Sequence, residues 1–139
     1  QLVAVVSPQH PLADRGTVDM KTLLEYPFIC REEGSGTREV ISEYINELGI
    51  NSNQVHLSME LGSPESIKGA VEAGMGVSIV SLATIQKELK LGTLVCLNLK
   101  PVLERPFSFV HQKQKFRHRA MDELLEFAQN YCKSHPEVV

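Results

Sequence analysis

Apolar and polar positions along the chain follow two spacings, one typical of strands and one of helices. Short apolar or alternating runs predict strands at 2–6, 28–30, 55–61, 77–80, 93–99 and 107–110. Apolar residues spaced three or four apart predict helices at about 20–24, 38–48, 64–73, 82–89 and 119–133. Strands and helices therefore alternate along most of the chain.

This alternation predicts an α/β fold with a mainly parallel sheet flanked by helices on both faces. Connections of this length can hold a helix that crosses the sheet, so that successive strands run in the same direction. In such sheets, small molecules bind at the carboxyl ends of strands, close to helix N-termini. The positions where a strand meets a helix are therefore the first places to look for a site.

One such position is the glycine-rich segment Glu32–Arg38, between a predicted strand and a predicted helix. Gly34 and Gly36 permit positive φ and close approach of a ligand, while Ser35 and Thr37 offer hydroxyls that could cap the helix. The free N–H groups of the first helical turn favour an anion. An ordinary capped turn is the alternative for this short pattern.

A second helix start follows the next strand, in Gly62-Ser63-Pro64-Glu65-Ser66. Ser63 suits the N-cap, Pro64 the first helical position, and Glu65 complements the helix dipole. Two Ser- and Gly-rich helix starts on successive strand ends favour a small-molecule site. Arg38 could bind an acidic ligand there or could extend into solvent.

Composition narrows the function classes. The 139 residues suit one domain, and the net charge of −3 argues against a nucleic-acid-binding surface in this chain. The three cysteines are far apart in sequence and no metal-ligand spacing occurs, so we expect free thiols in a reducing cytoplasm, with no metal and no cofactor. The chain begins within a strand and lacks an initial Met, and we therefore expect it to be a piece of a longer protein.

Catalytic motifs are not found. The G-x-S-x-G motif of a hydrolase nucleophile is incomplete around Ser35, because Glu33 stands at the position of the first glycine. Gly69 and Gly74 have the spacing of a phosphate-binding loop, but the Lys that such a loop requires does not follow Gly74. His10, between two prolines, is expected to make a backbone hydrogen bond within a turn. We therefore predict no catalytic residue.

Four segments resemble the effector-binding domain of LysR-type transcriptional regulators. They are SPQHPLA at 7–13, LLEYPFI at 23–29, EGSGTR at 33–38 and SIKGAVEAGMGVSIV at 66–80. The resemblance implies a fold like that of type II periplasmic binding proteins, with two subdomains joined by crossover strands. Residues 7–92 would form the second subdomain. Residues 93–139 would supply a crossover strand and the returning strand and helix of the first subdomain.

The resemblance also implies where an effector binds, which is the cleft between the subdomains. The implied effector-binding residues of this chain are Ser35, Gly36, Thr37, Gly62, Ser63 and Ser66. The remainder of the first subdomain and the DNA-binding helix-turn-helix are not in this sequence. The family's dimers would use the helix 38–48 and the strand 55–61, so we expect a homodimer or tetramer of the parent protein.

The predicted function is sensing of a small, anionic metabolite by a cytoplasmic bacterial regulator, with DNA bound only through the absent helix-turn-helix and with no membrane partner. A solute-binding protein of a transporter has the same fold and is the alternative. An enzyme built on this fold is a third possibility, but it would need a charged catalytic constellation that the sequence lacks.

Overall fold

The computed structural model describes residues 1–51, 55–106, 108, 110 and 119–135. These fall into two compact units, Gln1–Arg105 and Pro106–Val139. The strands are β1 (Leu2–Val6), β2 (Thr17–Asp19), β3 (Phe28–Arg31), β4 (Leu57–Leu61), β5 (Ser78–Ser81) and β6 (Val95–Lys100). The α-helices are α1 (Met20–Leu23), α2 (Gly36–Glu47), α3 (Pro64–Glu72), α4 (Gln86–Leu91) and α5 (Arg119–Ser134), and short 3-10 helices cover Ala13–Arg15 and Leu82–Ile85.

Five of the six described strands share one direction, as the sequence predicted, but β1 does not, so two of the four strand pairings are antiparallel. β2, β6, β1 and β5 form one hydrogen-bonded sheet, and β3 and β4 form a second. A parallel bridge between Phe28 and Val77 brings β3 beside the start of β5. Within the described residues, β1 alone opposes the other strands, since it is antiparallel to both β5 and β6.

Helices cover both faces of this sheet, and β1 divides the core between them. Leu2, Ala4 and Val6 belong to the cluster that packs against α1 and α2. Val3 and Val5 belong to the cluster that packs against α3 and the segment 82–94. The α/β class and the two-sided covering are therefore confirmed.

Local signals placed most of the elements correctly. The Asp19 carboxylate accepts a hydrogen bond from the Thr22 amide at 2.9 Å and caps α1. Gly92 ends α4 with a φ of +68°.

Two short segments differ from this pattern. The three-residue strand β2 was not predicted, because so short a run shows no periodicity. Ser81 precedes a 3-10 turn and makes no side-chain capping hydrogen bond.

The second unit is described by its helix alone. α5 matches the predicted bounds closely, and none of its residues is buried. Met121, Leu125 and Ala128 are half-exposed along one stripe, while Leu124 is 64% exposed. The strand predicted at 107–110 lies largely outside the described residues.

The turn from α3 into β5 depends on two glycines. Gly74 has φ +73° and Gly76 has φ +156°, backbone conformations that residues with a side chain rarely adopt. A Cβ at Gly76 would collide with the carbonyl oxygen of Pro27. That oxygen accepts a hydrogen bond from the Val77 amide at 2.9 Å. Gly76 therefore permits the backbone contact that aligns β3 with β5.

We expect Gly76→Ala to lower the free energy of unfolding by more than about 2 kcal/mol, because it combines backbone strain with a collision against main chain. Gly74→Ala should cost only roughly 1 kcal/mol, since its Cβ enters open space and strain alone remains. Urea denaturation monitored by circular dichroism measures both changes.

Gly69 provides the matched control, because it lies in α3 with open space around its Cβ position. Gly69→Ala should stabilise the protein by roughly 0.5–1 kcal/mol. Equal effects at Gly69 and Gly76 would contradict this account of the turn.

Candidate functional site

The two predicted helix starts lie at one end of the sheet and line the same cavity. Thr37, in the first turn of α2, and Pro64, the first residue of α3, both contribute to it. The cavity has a volume of about 60 Å³. Its other lining residues come from the ends of strands β3 and β5 and from the adjoining helices: Arg31, Ile67, Ile79, Val80, Ser81 and Thr84.

The segment before α2 differs from expectation in two details. Gly34 has φ +82°, but Gly36 does not have positive φ. Ser35 is buried at the N-cap, yet its hydroxyl makes no capping hydrogen bond, so the predicted side-chain cap is wrong. Its main chain completes the turn instead, with the Ser35 amide donating to the Glu32 carbonyl at 3.2 Å.

Gly36 serves close approach rather than backbone conformation. A Cβ at this position would lie 2.9 Å from Nη2 of Arg105. The guanidinium therefore packs directly over the first residue of α2 and adds positive charge where the helix amides are already unpaired. This charge increases the preference of the helix start for an anion.

The start of α3 has the predicted cap. Ser63 Oγ accepts a hydrogen bond from the Ser66 amide at 3.1 Å, and the hydroxyls of the two residues lie 2.9 Å apart. Gly62 is exposed immediately before them. The two serines thus form one hydrogen-bonded pair at the opening of the helix.

Thr37 is the sequence candidate that lines the cavity, and three further polar residues of its lining were not candidates: Arg31, Ser81 and Thr84. The signal that could have found Arg31 is a charged residue at the end of an otherwise buried strand. Arg31 forms a double hydrogen bond with Glu32, from Nε to Oε2 at 2.7 Å and from Nη2 to Oε1 at 2.8 Å. Ser81 ends β5, and Thr84 donates its hydroxyl to the Ser81 carbonyl at 2.7 Å.

Arg38 neither lines this cavity nor extends freely into solvent. Its Nη1 donates to Glu60 Oε2 at 2.5 Å and to the Arg31 carbonyl at 3.1 Å. The hydrogen bond to Glu60 raises the pKa of Arg38. His10 has the turn role that was expected, because its Nδ1 accepts from the Leu12 amide at 3.2 Å.

A buried ion pair fixes α3 beside the cavity. Lys68 Nζ lies 2.9 Å from Glu88 Oε1 and 2.8 Å from Glu65 Oε1, and it donates to the Thr84 carbonyl at 3.2 Å. The hydrogen bond that Lys68 donates to Glu65, together with the one it donates to Glu88, raises the pKa of Lys68 despite its burial. The hydrogen bond from Lys68 lowers the pKa of Glu88.

A larger groove lies along α2, away from the strand ends. It has a volume of about 250 Å³ and is lined by Phe28, Cys30, Arg38, Ile41, Ser42, Ile45, Asn46, Val55 and Leu57. Its lining is largely apolar, and Leu57 is 44% exposed beside it. β4, at its edge, pairs with β3 alone in the described sheet. These features are typical of a protein-contact surface rather than an anion site.

Comparison with known proteins identifies the family. The model of the LysR substrate binding domain matches residues 1–133. The chain belongs to this family. Among relatives of this LysR domain, the Escherichia coli K12 HTH-type transcriptional regulator YeiE is 39% identical over 129 residues, which are 91% of this chain and 42% of YeiE. The chain thus spans less than half the length of such curated relatives.

Solved structures agree with the family assignment. The Synechocystis PCC6803 CcmR regulatory domain, in complex with 2-PG, superposes on the LysR domain with a TM-score of 0.73 and 27% identity, over 91% of this chain and 60% of CcmR. The effector binding domain of QuiR, in complex with shikimate, has a TM-score of 0.70 and 23% identity, over 97% of this chain and 62% of QuiR. The fold is therefore that of LysR effector-binding domains, which is the type II periplasmic-binding-protein class.

The described part of the LysR domain has neither a metal-binding cluster nor a membrane-spanning helix. No group of three or more His, Cys, Asp or Glu residues there could hold a metal ion. None of its described helices combines the length and the hydropathy needed to cross a membrane. The cysteines Cys30, Cys96 and Cys132 are unpaired, as predicted.

We expect Lys68→Met to lower the melting temperature of the protein by several degrees, because it leaves the Glu88 carboxylate buried without its cation. The double variant with Glu88→Leu should recover most of the loss, since both charges are then replaced by apolar side chains. Differential scanning calorimetry measures each variant.

Lys87→Met is the matched control, since Lys87 is exposed on the same helix as Glu88 and should change the melting temperature little. Additive losses in the double variant would show that Lys68 and Glu88 do not act as a pair.

Proposed function

We propose that this domain senses a small anionic metabolite for a LysR-type transcriptional regulator. The supporting observation is that the first turns of α2 and α3 open into one cavity at the carboxyl ends of β3 and β5. Unpaired helix amides, hydroxyl groups and a guanidinium meet at this place, and all three are groups that bind anions. We propose Ser35, Gly36, Thr37, Gly62, Ser63 and Ser66 as the contact residues; Thr37 lines the cavity itself, and the other five belong to the segments in which α2 and α3 begin.

The size of the cavity indicates that it forms one wall of a larger site. A cavity of about 60 Å³ has room for an anionic head group, whereas complete ligand pockets measure ~300–1,000 Å³. We propose that residues 7–92 form one subdomain and that a second subdomain of the parent protein supplies the opposite wall. CcmR, whose solved structure contains 2-PG, makes this compound the first candidate to test.

The proposed mechanism is a shift between two arrangements of the subdomains. An effector that contacts both walls binds the closed arrangement better than the open one, and this difference in affinity favours closure. The closed arrangement then alters DNA binding by a helix-turn-helix elsewhere in the parent protein. The relatives are transcriptional regulators, which favours a cytoplasmic, non-enzymatic sensor over a transporter's solute-binding protein.

The groove along α2 supports a proposed dimer interface in the parent protein. Leu57, which is 44% exposed, contributes apolar surface to it, and within the described residues β4 pairs with β3 alone, so its other edge is open. Apolar surface beside an unpaired strand edge is seldom left exposed to solvent in a protein. We propose that α2 and β4 face a second copy of the regulator.

We expect Thr37→Val to weaken effector binding by roughly 3- to 10-fold, because it removes one hydroxyl from the cavity. The full-length gene product is titrated calorimetrically with 2-PG and with a panel of small carboxylates and phosphates. Ser42→Ala is the control, since this exposed hydroxyl on the same helix lies in the groove and not in the cavity. Equal losses from both variants would place the effector outside the proposed cleft.

The 139-residue chain alone should bind the same compound much more weakly than the full-length gene product. One helix N-terminus contributes about 0.3–1 kcal/mol, up to about 2 when partly buried. Micromolar to millimolar affinity requires roughly 4–8 kcal/mol. Titration of both proteins with the same compound compares their dissociation constants. Equally tight binding by the isolated chain would refute a cleft shared between two subdomains.

A further inference from the structure

Arg31 and Glu32 form a pair whose geometry is that of an anion-binding site already filled. The guanidinium offers Nε and Nη2 side by side, and the two Glu32 oxygens accept at 2.7 and 2.8 Å. A guanidinium binds a free carboxylate, phosphate or sulfate with this same fork. The Glu32 carboxylate thus stands where the anionic group of a ligand would be bound.

The direction of Arg31 follows from the alternation of β3. Ile29 belongs to the core cluster formed with α3 and β5, and Arg31, two residues later, is on the same face of the strand. Arg31 accordingly lines the cavity together with Thr37 and Ser81. Its side chain is only 22% exposed, so most of the guanidinium stem is covered.

The neighbouring hydroxyls are available to a ligand. Neither Thr37 nor Ser81 forms a side-chain hydrogen bond within the described part of the chain, although both line the cavity. The nearby cations Lys68 and Arg38 are each bound to acidic partners on other elements. Among the described residues lining this cavity, Arg31 is the cation.

The partner of Arg31 can leave without disturbing the core. Glu32 has a side chain that is 39% exposed, and it follows Arg31 directly in sequence. Rotation of its side chain into water breaks both hydrogen bonds and moves no helix or strand. The Lys68–Glu88 pair differs in this respect, because both side chains are at most 11% exposed.

We propose that Arg31 anchors the anionic group of the effector, and that Glu32 occupies the guanidinium until a ligand carboxylate, phosphate or sulfate displaces it. This inference rests on the proposed function and specifies the chemistry of its ligand. Because the displaced side chain stays attached, Glu32 competes at every ligand concentration and lowers the apparent affinity.

Acidity does not release this pair within the physiological range. The hydrogen bond from Arg31 lowers the pKa of Glu32 to about 2. Since this pKa lies below the ordinary carboxyl value, the pairing is complete above about pH 4.5 and is lost only as the pH falls towards 2. Protonation of Glu32 therefore does not open the pair between pH 5 and 8.

The test titrates the full-length gene product with inorganic phosphate, sulfate and acetate and records the melting temperature, with chloride holding the ionic strength constant. Glu32→Gln should tighten binding of at least one probe by about 3-fold or more, because the internal competitor loses its charge. Arg31→Lys keeps the positive charge but removes the paired N–H donors of the guanidinium, so it should weaken binding of that probe by about 10-fold. Comparing the affinity for acetate with the affinities for phosphate and sulfate distinguishes a carboxylate ligand from a phosphate or sulfate ligand.

Glu33→Gln is the matched control, since it makes the same change in net charge one residue away, at a side chain that is 88% exposed and 3.9 Å from Arg38. It should leave the affinity unchanged within about 2-fold. Equal tightening by Glu32→Gln and Glu33→Gln would overturn the proposal in favour of a general charge effect.

Three further outcomes would also overturn it. They are no effect of Glu32→Gln, no binding of any probe, and loss of binding in Arg105→Gln but not in Arg31→Lys. The proposed function fails by a separate result, in which Thr37→Val weakens the binding of neither 2-PG nor any other compound of the panel. Sensitivity to Thr37→Val without sensitivity to Arg31→Lys would preserve the sensor and reject this anchor.

Discussion

The fold depends on the burial of β1 in the middle of the sheet. Val3 to Val6 have no exposed surface, and both edges of the strand are hydrogen-bonded, to β5 and to β6. Its alternate side chains enter two different core clusters, so one strand joins the helices on both faces. Burial of each large apolar side chain contributes about 1.5–3 kcal/mol. Because β1 opposes β5 and β6, these two strands run in the same direction.

That shared direction brings the candidate site together. β3 lies beside β5 with parallel sense, and β4 lies beside β3, so the strand ends that precede α2, α3 and the 3-10 turn at 82–85 meet at one edge. The contact of Gly76 with Pro27 maintains this alignment where β3 and β5 meet. The cavity is thus a consequence of strand direction, and its chemistry is added by the residues that happen to end each strand.

The sequence predicted those features that depend on neighbours along the chain. The cap at Ser63 and the apolar spacing of α5 are both local patterns, and their positions were correct. The direction of β1 could not be predicted, because an apolar run reveals burial and not orientation. The pairing of Lys68 with Glu88, twenty residues apart, was also inaccessible. A charged residue at the end of a buried strand marks Arg31 as a candidate, but the helices that enclose it in the cavity are not specified by any local pattern.

α2 links the two surfaces that the proposed sensor requires. Its N-terminal turn contributes Thr37 to the cavity, while Ile41 and Ile45, one and two turns later, line the groove. The hydrogen bonds from Arg38 to Glu60 and to the Arg31 carbonyl join the same helix to β4 and to the end of β3. A displacement of the cavity wall would therefore be transmitted to the groove by a helix that moves as one body. In the proposed sensor, coupling between ligand and partner would need no long pathway, because the two proposed contacts lie on one helix.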